Sequence, residues 1–177
     1  MIRGRLTYLR PVERKDRDLI LKWINDEEVM PYITAHLPYS EAFEEAWIER
    51  VSRSEADRVF VINTAEGTPI GTIGLHGINH HDLSAELGVS IFEKSHWGRG
   101  YGPDAIVSLL RFVFDEMNFH RVQLFVHEDN QRAKRAYEKC GFVQEGLLRA
   151  KHFRGGRYTN SYLMGLLASE FRAKFKD

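Results

Sequence analysis

The sequence predicts a mixed α/β fold of the α+β kind, built on a sheet of about seven strands, and three observations carry that prediction. Seven short apolar runs have strand character, at 6–12, 58–63, 70–78, 84–92, 121–126, 143–148 and 158–167. Segments with helical apolar spacing lie between them, at 14–25, 41–53, 103–117 and 131–140. The third helix follows a strand ending near Phe92 and precedes one starting near Arg121. A helical crossover of this kind joins parallel strands and is right-handed, so the sheet is expected to be mixed. The 177 residues suit a single domain, 1–177, large enough for a core without staples.

Bulk composition narrows the function. Apolar residues make up 43% and charged residues 28%, which excludes a disordered chain. With 25 basic and 25 acidic residues the formal charge is zero, so nothing draws the chain to nucleic acid or to a membrane surface. Cys140 is the single cysteine, which rules out an intramolecular disulfide and offers no metal cluster. No apolar run of about 18 residues and no signal-peptide pattern at Met1-Ile2-Arg3-Gly4 is present, so a cytoplasmic protein is expected.

Along the chain, 6–12 reads as an edge strand ended by Pro11. Helix 14–25 presents Leu19, Ile20, Trp23 and Ile24, and 26–31 breaks it. Ser40 suits the N-cap of a helix over 41–53 that carries Phe43, Trp47, Ile48 and Val51. Tyr32, His36 and Tyr39 lie between these helices in a stretch too polar for core. Strands 58–63 and 70–78 form a hairpin turned at Ala65-Glu66-Gly67. In the next loop His80, His81 and Asp82 suggest a metal, yet adjacent histidines on a strand point to opposite faces and no third ligand has matching spacing. A polar turn is the better reading, with both histidines as candidates for the substrate side. On strand 84–92, Glu86 alternates with Gly88 and Ser90, away from Leu87 and Val89. Such a carboxylate is either exposed on an open face, paired structurally with an arginine, or held in a cleft.

The stretch Trp97-Gly98-Arg99-Gly100-Tyr101-Gly102-Pro103 links that strand to the helix carrying Ile106, Leu109, Phe112 and Val113 on its sheet-facing stripe. Glycine at every second position bares the backbone, and Pro103 suits the first helical turn, where a missing N–H costs nothing. Strand, glycine loop and helix N-terminus aim backbone dipoles at an anion such as a pyrophosphate, although three glycines also make an ordinary turn. A triphosphate loop needs Lys-Ser/Thr after its last glycine, and a dinucleotide fingerprint needs Gly-x-Gly-x-x-Gly, and neither is met. Downstream, Asn130 is a good N-cap and Gly141 a good helix stop. Asn130, Ala133 or Lys134, and Tyr137 are spaced to share one helix face. Val143-Gln144-Glu145-Gly146 and the strand at 158–167 follow, turned at Arg154-Gly155-Gly156-Arg157.

The Gly-Arg-Gly-Tyr-Gly loop resembles the coenzyme A loop of the GNAT acetyltransferase superfamily. The Asn130-to-Phe142 segment resembles the helix over which the pantetheine arm passes in that family. The likeness runs from Leu9-Arg10-Pro11 to about Glu170 and is closest to the branch of ribosomal-protein alanine and spermidine acetyltransferases. Two departures are Trp97, where the wider family often has Gln or Arg, and Pro103, which removes one loop amide.

The resemblance implies a twisted sheet with helices on both faces and a parallel strand pair splayed beyond a bulge, where pantetheine pairs with backbone near Val89 and Ile91. It implies acetyl-CoA as co-substrate, held by Val89, Ile91, Trp97, Gly98, Arg99, Gly100, Tyr101, Gly102, Asn130, Ala133 and Tyr137. Arg132, Lys134 or Arg135 can meet the 3′-phosphate or can be solvated helix charges. The implied reaction is direct transfer to a primary amine in a ternary complex, with Glu86 as base and Tyr137 as acid. The strand N–H of Val89 is the first choice for the oxyanion. The acceptor is a protein N-terminus or a small amine such as a polyamine, attracted by acids including Asp26, Glu27, Glu28, Glu41, Glu44 and Glu45 or merely neighbouring a solvated acidic face. The branch often forms homodimers. Cys140 has no paired histidine nearby and reads as a core filler. The alternative function is a coenzyme-A-binding sensor or interaction module without turnover.

Overall fold

The computed structural model describes residues 1–33 and 37–176. Among them, one mixed sheet contains β1 (Ile2–Arg3), β2 (Thr7–Pro11), β3 (Arg58–Thr64), β4 (Pro69–Asn79), β5 (Ser84–Ile91), β6 (Arg121–His127), β7 (Val143–Arg154) and β8 (Arg157–Leu167). The spatial order is β1-β2-β3-β4-β5-β6-β8-β7. The eighth strand is β1, too short to show a period in sequence. It takes the edge position expected of β2, which lies between β1 and β3. The β5–β6 pair is parallel, as the crossover demands, and the other neighbours run antiparallel.

Among the described residues five α-helices accompany the sheet: α1 (Arg17–Ile24), α2 (Glu41–Arg53), α3 (Tyr101–Arg111), α4 (Gln131–Lys139) and α5 (Ala168–Lys174). Helices α1 and α2 bury Ile20, Trp23, Ile48 and Val51 against Val59, Val61 and Phe92 on one face. Trp23 stacks on Phe92 with ring centroids 5.1 Å apart, and its indole N–H donates to Glu93 at 2.7 Å. On the other face α3 and α5 bury Ile106, Leu109, Leu110 and Phe171 against Ile73, Leu87, Val122 and Leu124. Each such side chain contributes about 1.5–3 kcal/mol of hydrophobic stabilisation.

The caps are where the residue types place them. The Ser40 hydroxyl accepts from the N–H of Phe43 at 3.3 Å, and the Asn130 side chain from that of Ala133 at 3.1 Å. Gly141, at φ +102°, ends α4 in a conformation that side-chain-bearing residues rarely adopt. Gly155 and Gly156 turn the β7–β8 hairpin, both at positive φ.

One apolar stripe departs from helical spacing. After α3 the chain widens into a π turn over Phe112–Glu116, closed by the N–H of Met117 donating to the carbonyl of Phe112. The extra residue in that turn rotates Phe112 outward, to 37% exposure, and brings Phe114 inward beside Val113. A 3.6-residue period cannot foresee that rotation.

β5 positions the site. It pairs with β6 over Ser84, Ala85 and Glu86, whereas β4 follows it to Ile91. From Leu87 onward the edge of β5 that faced β6 has no strand beside it, and the splay expected of the parallel pair is present. The register shift lies on β4, between His76 and Asn79, not on β5.

Candidate active site

Two cavities flank the free part of β5. The first, of about 400 Å³, is bounded by Val89, Ser90 and Ile91, by Trp97, Gly98 and Gly100–Pro103, and by Asn130, Ala133 and Tyr137 of α4. Gly98 and Gly100 stand at φ +71° and +88°, so the loop folds in left-handed steps that a Cβ would strain. α3 begins at Tyr101, and its first-turn N–H groups have no helical partner. Pro103 is the third residue of that turn, where its missing N–H is harmless. Asp104 ties the turn to the chain start, accepting from the N–H groups of Arg5, Leu6 and Thr7 at 2.9–3.0 Å.

The predicted cofactor residues come together here, with one exception. The Arg99 guanidinium turns back to the Ser95 carbonyl and does not line the cavity. Trp97 adds something the sequence does not suggest: its indole N–H donates to the carbonyl of Ile91 at 2.6 Å, occupying one backbone acceptor of the splayed strand. Arg132 lies over the Trp97 ring at 4.3 Å and the Tyr32 ring at 5.6 Å, roofing the cleft, and Arg135 also lines it. Lys134 instead pairs with Glu138. Burial, assisted by the neighbouring Cys140 thiol, pushes the Tyr137 phenol up to about 12, so it holds its proton at neutral pH. Cys140 is itself buried and its thiol is pushed up to about 12, which makes it inert as a nucleophile.

The second cavity, of about 330 Å³, lies against the other face of β5 and shares Ile33, Val89 and Ser90 with the first. Its walls are Ile20 and Ile24 of α1, Tyr39, Phe43, Glu44 and Trp47 at α2, and Gly74, His76, Gly88 and Phe92 on the sheet. Glu44 is 2% exposed, and one of its carboxylate oxygens has no hydrogen-bond partner. Burial alone raises its pKa to about 7. His36 lies outside the described residues; Tyr32 and Tyr39 divide between the two cavities. Glu86 lines neither cavity, although it stands on the same strand face as Gly88 and Ser90. His76, directly across from Glu86 on β4, does line the second. Sequence reasoning passed over His76, and its alternation on a strand beside Gly74 was the available signal. His80 and His81 sit in the exposed β4–β5 turn, at the end of β5 remote from the glycine loop, and line neither cavity.

Residues 5–143 match the model of the acetyltransferase (GNAT) domain. The chain belongs to that family. The spermidine N(1)-acetyltransferase of Vibrio cholerae is 33% identical over 165 residues, covering 92% of this chain and 94% of its relative. That of Escherichia coli K12 is 30% identical over 170 residues, covering 95% and 89%. A crystal structure of the Vibrio cholerae spermidine N-acetyltransferase in complex with CoA and spermine superposes with a TM-score of 0.87 at 33% identity, covering 94% of this chain and 98% of that one. The chain is therefore an acetyl-CoA-dependent N-acetyltransferase that acetylates a primary amine, and the reading as a sensor without turnover falls away. The first cavity suits the co-substrate: bared N–H groups at a helix start for the pyrophosphate, and a slot along β5 for the pantetheine arm. Among the described residues no helix is long and apolar enough to cross a membrane.

Proposed function

We propose that the acceptor is a polyamine, which enters the second cavity and sets one ammonium against Glu44. The observation carrying this is a buried carboxylate with an unused oxygen in a cavity that reaches Val89 and Ser90 from the side opposite the cofactor cleft. An unpartnered carboxylate in such a place costs stability unless a cation meets it. Aromatic walls at Tyr39, Phe43 and Trp47 suit the methylene arms and cation of the same ligand.

In the proposed reaction the neutral amine attacks the thioester carbonyl, whose oxyanion takes a hydrogen bond from the N–H of Val89. The C–S bond then breaks, and the departing sulfur takes the phenolic proton of Tyr137. Glu86 stands behind the acceptor and carries the amine's proton onward through water. Gly98–Gly102 hold the pyrophosphate, Asn130 and Ala133 flank pantetheine, and Arg132 or Arg135 meets the 3′-phosphate. We place this chemistry in one domain, 1–177, of a cytoplasmic homodimer; the long exposed edge of β7, with Val143 and Leu147 outward, supports pairing of two copies.

Thiol release from acetyl-CoA across spermidine, spermine, alanyl peptides and small amino compounds tests the acceptor. Turnover of polyamines above all others is expected. A preference for peptide N-termini overturns the polyamine assignment while leaving the chemistry intact.

A further inference from the structure

We propose that His76, oriented by Asp57, is the immediate proton acceptor on the amine side, with Glu86 one step behind it. The inference rests on the reading of the second cavity as the acceptor site. His76 Nδ1 lies 3.0 Å from Asp57 Oδ1, and Asp57 is itself fixed on its other oxygen by Arg50 at 2.9 Å and the Ser54 hydroxyl at 3.1 Å. Burial raises the Asp57 pKa, but hydrogen bonds from His76, Ser54 and Arg50 outweigh it and hold the carboxyl below its ordinary value. An ionised carboxylate can only accept, so the Nδ1 position carries the hydrogen, and in the neutral imidazole the free lone pair is then on Nε2.

The glycines decide where that lone pair lies. Gly74 and Gly88 are cross-strand partners, and a Cβ on either would come within 3.3 Å or 3.2 Å of His76 Nε2. The imidazole therefore lies over a floor made by two missing side chains, one residue from Val89. The ring stays 41% exposed and lines the cavity together with Gly74, Gly88, Val89 and Ser90. The charged groups around it are Asp57 with Arg50 behind, Glu44 across the cavity from α2, and Glu86 across the β4–β5 ladder. A carboxylate-oriented imidazole with its second nitrogen open to substrate is the arrangement that general-base catalysis requires.

In the step itself, the amine nitrogen forms the bond to the thioester carbonyl carbon and loses a proton to His76 Nε2, giving imidazolium stabilised by Asp57. The C–S electron pair leaves on sulfur, which takes the Tyr137 proton. His76 later returns its proton to solvent past Glu86, its partner across the β4–β5 ladder, and Tyr137 regains a proton from solvent.

The test is kcat against pH between 5 and 10, at saturating acetyl-CoA and spermidine, or the best amine of the panel, for wild type, His76→Gln, Asp57→Asn and Glu86→Gln. His76→Gln should lower kcat by about 10²–10³-fold, abolish the one-proton acidic limb and leave the KM for acetyl-CoA within about twofold. Asp57→Asn should cost about tenfold and move that limb to lower pH, because imidazolium loses its counter-charge. A His76→Gln enzyme with wild-type kcat and an intact limb overturns the proposal, as does a limb lost in Glu86→Gln alone. Calorimetric binding of coenzyme A checks that His76→Gln is folded. If it is not, Asp57→Asn and wild type decide, and a wild type lacking the limb or an Asp57→Asn limb that stays in place overturns it. Wild type inactive on every amine would defeat the reading of the cavity and this inference together, a result separable from activity that survives without His76.

Discussion

The two cavities on either side of β5 are assembled in opposite ways. The cofactor cleft takes most of its wall from two short stretches, 97–103 and 130–139, each continuous in sequence and each hung on a helix start. The second cavity, proposed for the acceptor, is gathered from α1, α2, β3, β4 and β5, with few neighbours in sequence. The difference suits the ligands proposed for them. A pyrophosphate and a pantetheine arm are met by backbone N–H groups and small residues, whose requirements are local conformation. An ammonium is met by side-chain charge in a desolvated place, and burial is a property of the whole fold.

The comparison separates cofactor-side from acceptor-side variants, and the largest effect should fall at the chemistry itself. Tyr137→Phe should lower kcat by about 10²–10⁴-fold with coenzyme A affinity unchanged, and calorimetry with turnover checks both. Full activity with intact binding removes Tyr137 from the role of acid.

Glu44→Gln should raise the amine KM by about 10–100-fold at pH 8, the scale of one hydrogen bond to a charged group. The acetyl-CoA KM should not move. The wild-type amine KM should itself climb as pH falls through about 7, where the Glu44 carboxyl takes up its proton. A pH-independent amine KM would separate Glu44 from the acceptor.

Gly100→Ala should do the converse, weakening coenzyme A about tenfold through strain at φ +88° while sparing the amine KM, since left-handed backbone costs a side-chain-bearing residue about 1–2 kcal/mol. Equal losses for both substrates would mean that the cavities are not independent.

The smallest effect concerns stability. The Glu44 pKa is raised in the folded protein, so its contribution is intact below the unfolded carboxyl pKa and is lost as pH rises toward 7. Glu44→Gln should therefore match wild type near pH 5 and melt about 2–4 °C higher at pH 8, a shift kept small by solvent reaching the cavity. Thermal scans at the two pH values decide it, and equal melting temperatures at pH 8 would place Glu44 in contact with solvent.

Much of the molecule was legible in its residues. Ser40, Asn130, Gly141 and the Gly155-Gly156 turn act where their backbone chemistry suits them, because caps and turns need only near neighbours. Apolar alternation located seven strands. It missed β1, which has two residues and no period, and it misplaced Phe112, because a π turn changes the angular step. For the site, the chain alone determined the glycine turn and the Asn130–Tyr137 face, since one loop and one helix hold them. Only the tertiary structure decided that Trp97 covers the Ile91 carbonyl, that Glu44 is buried with one oxygen unpartnered, and that His76, not Glu86, lines the second cavity. Each depends on which residues of distant segments meet across a sheet, and no spacing along one segment encodes that distance.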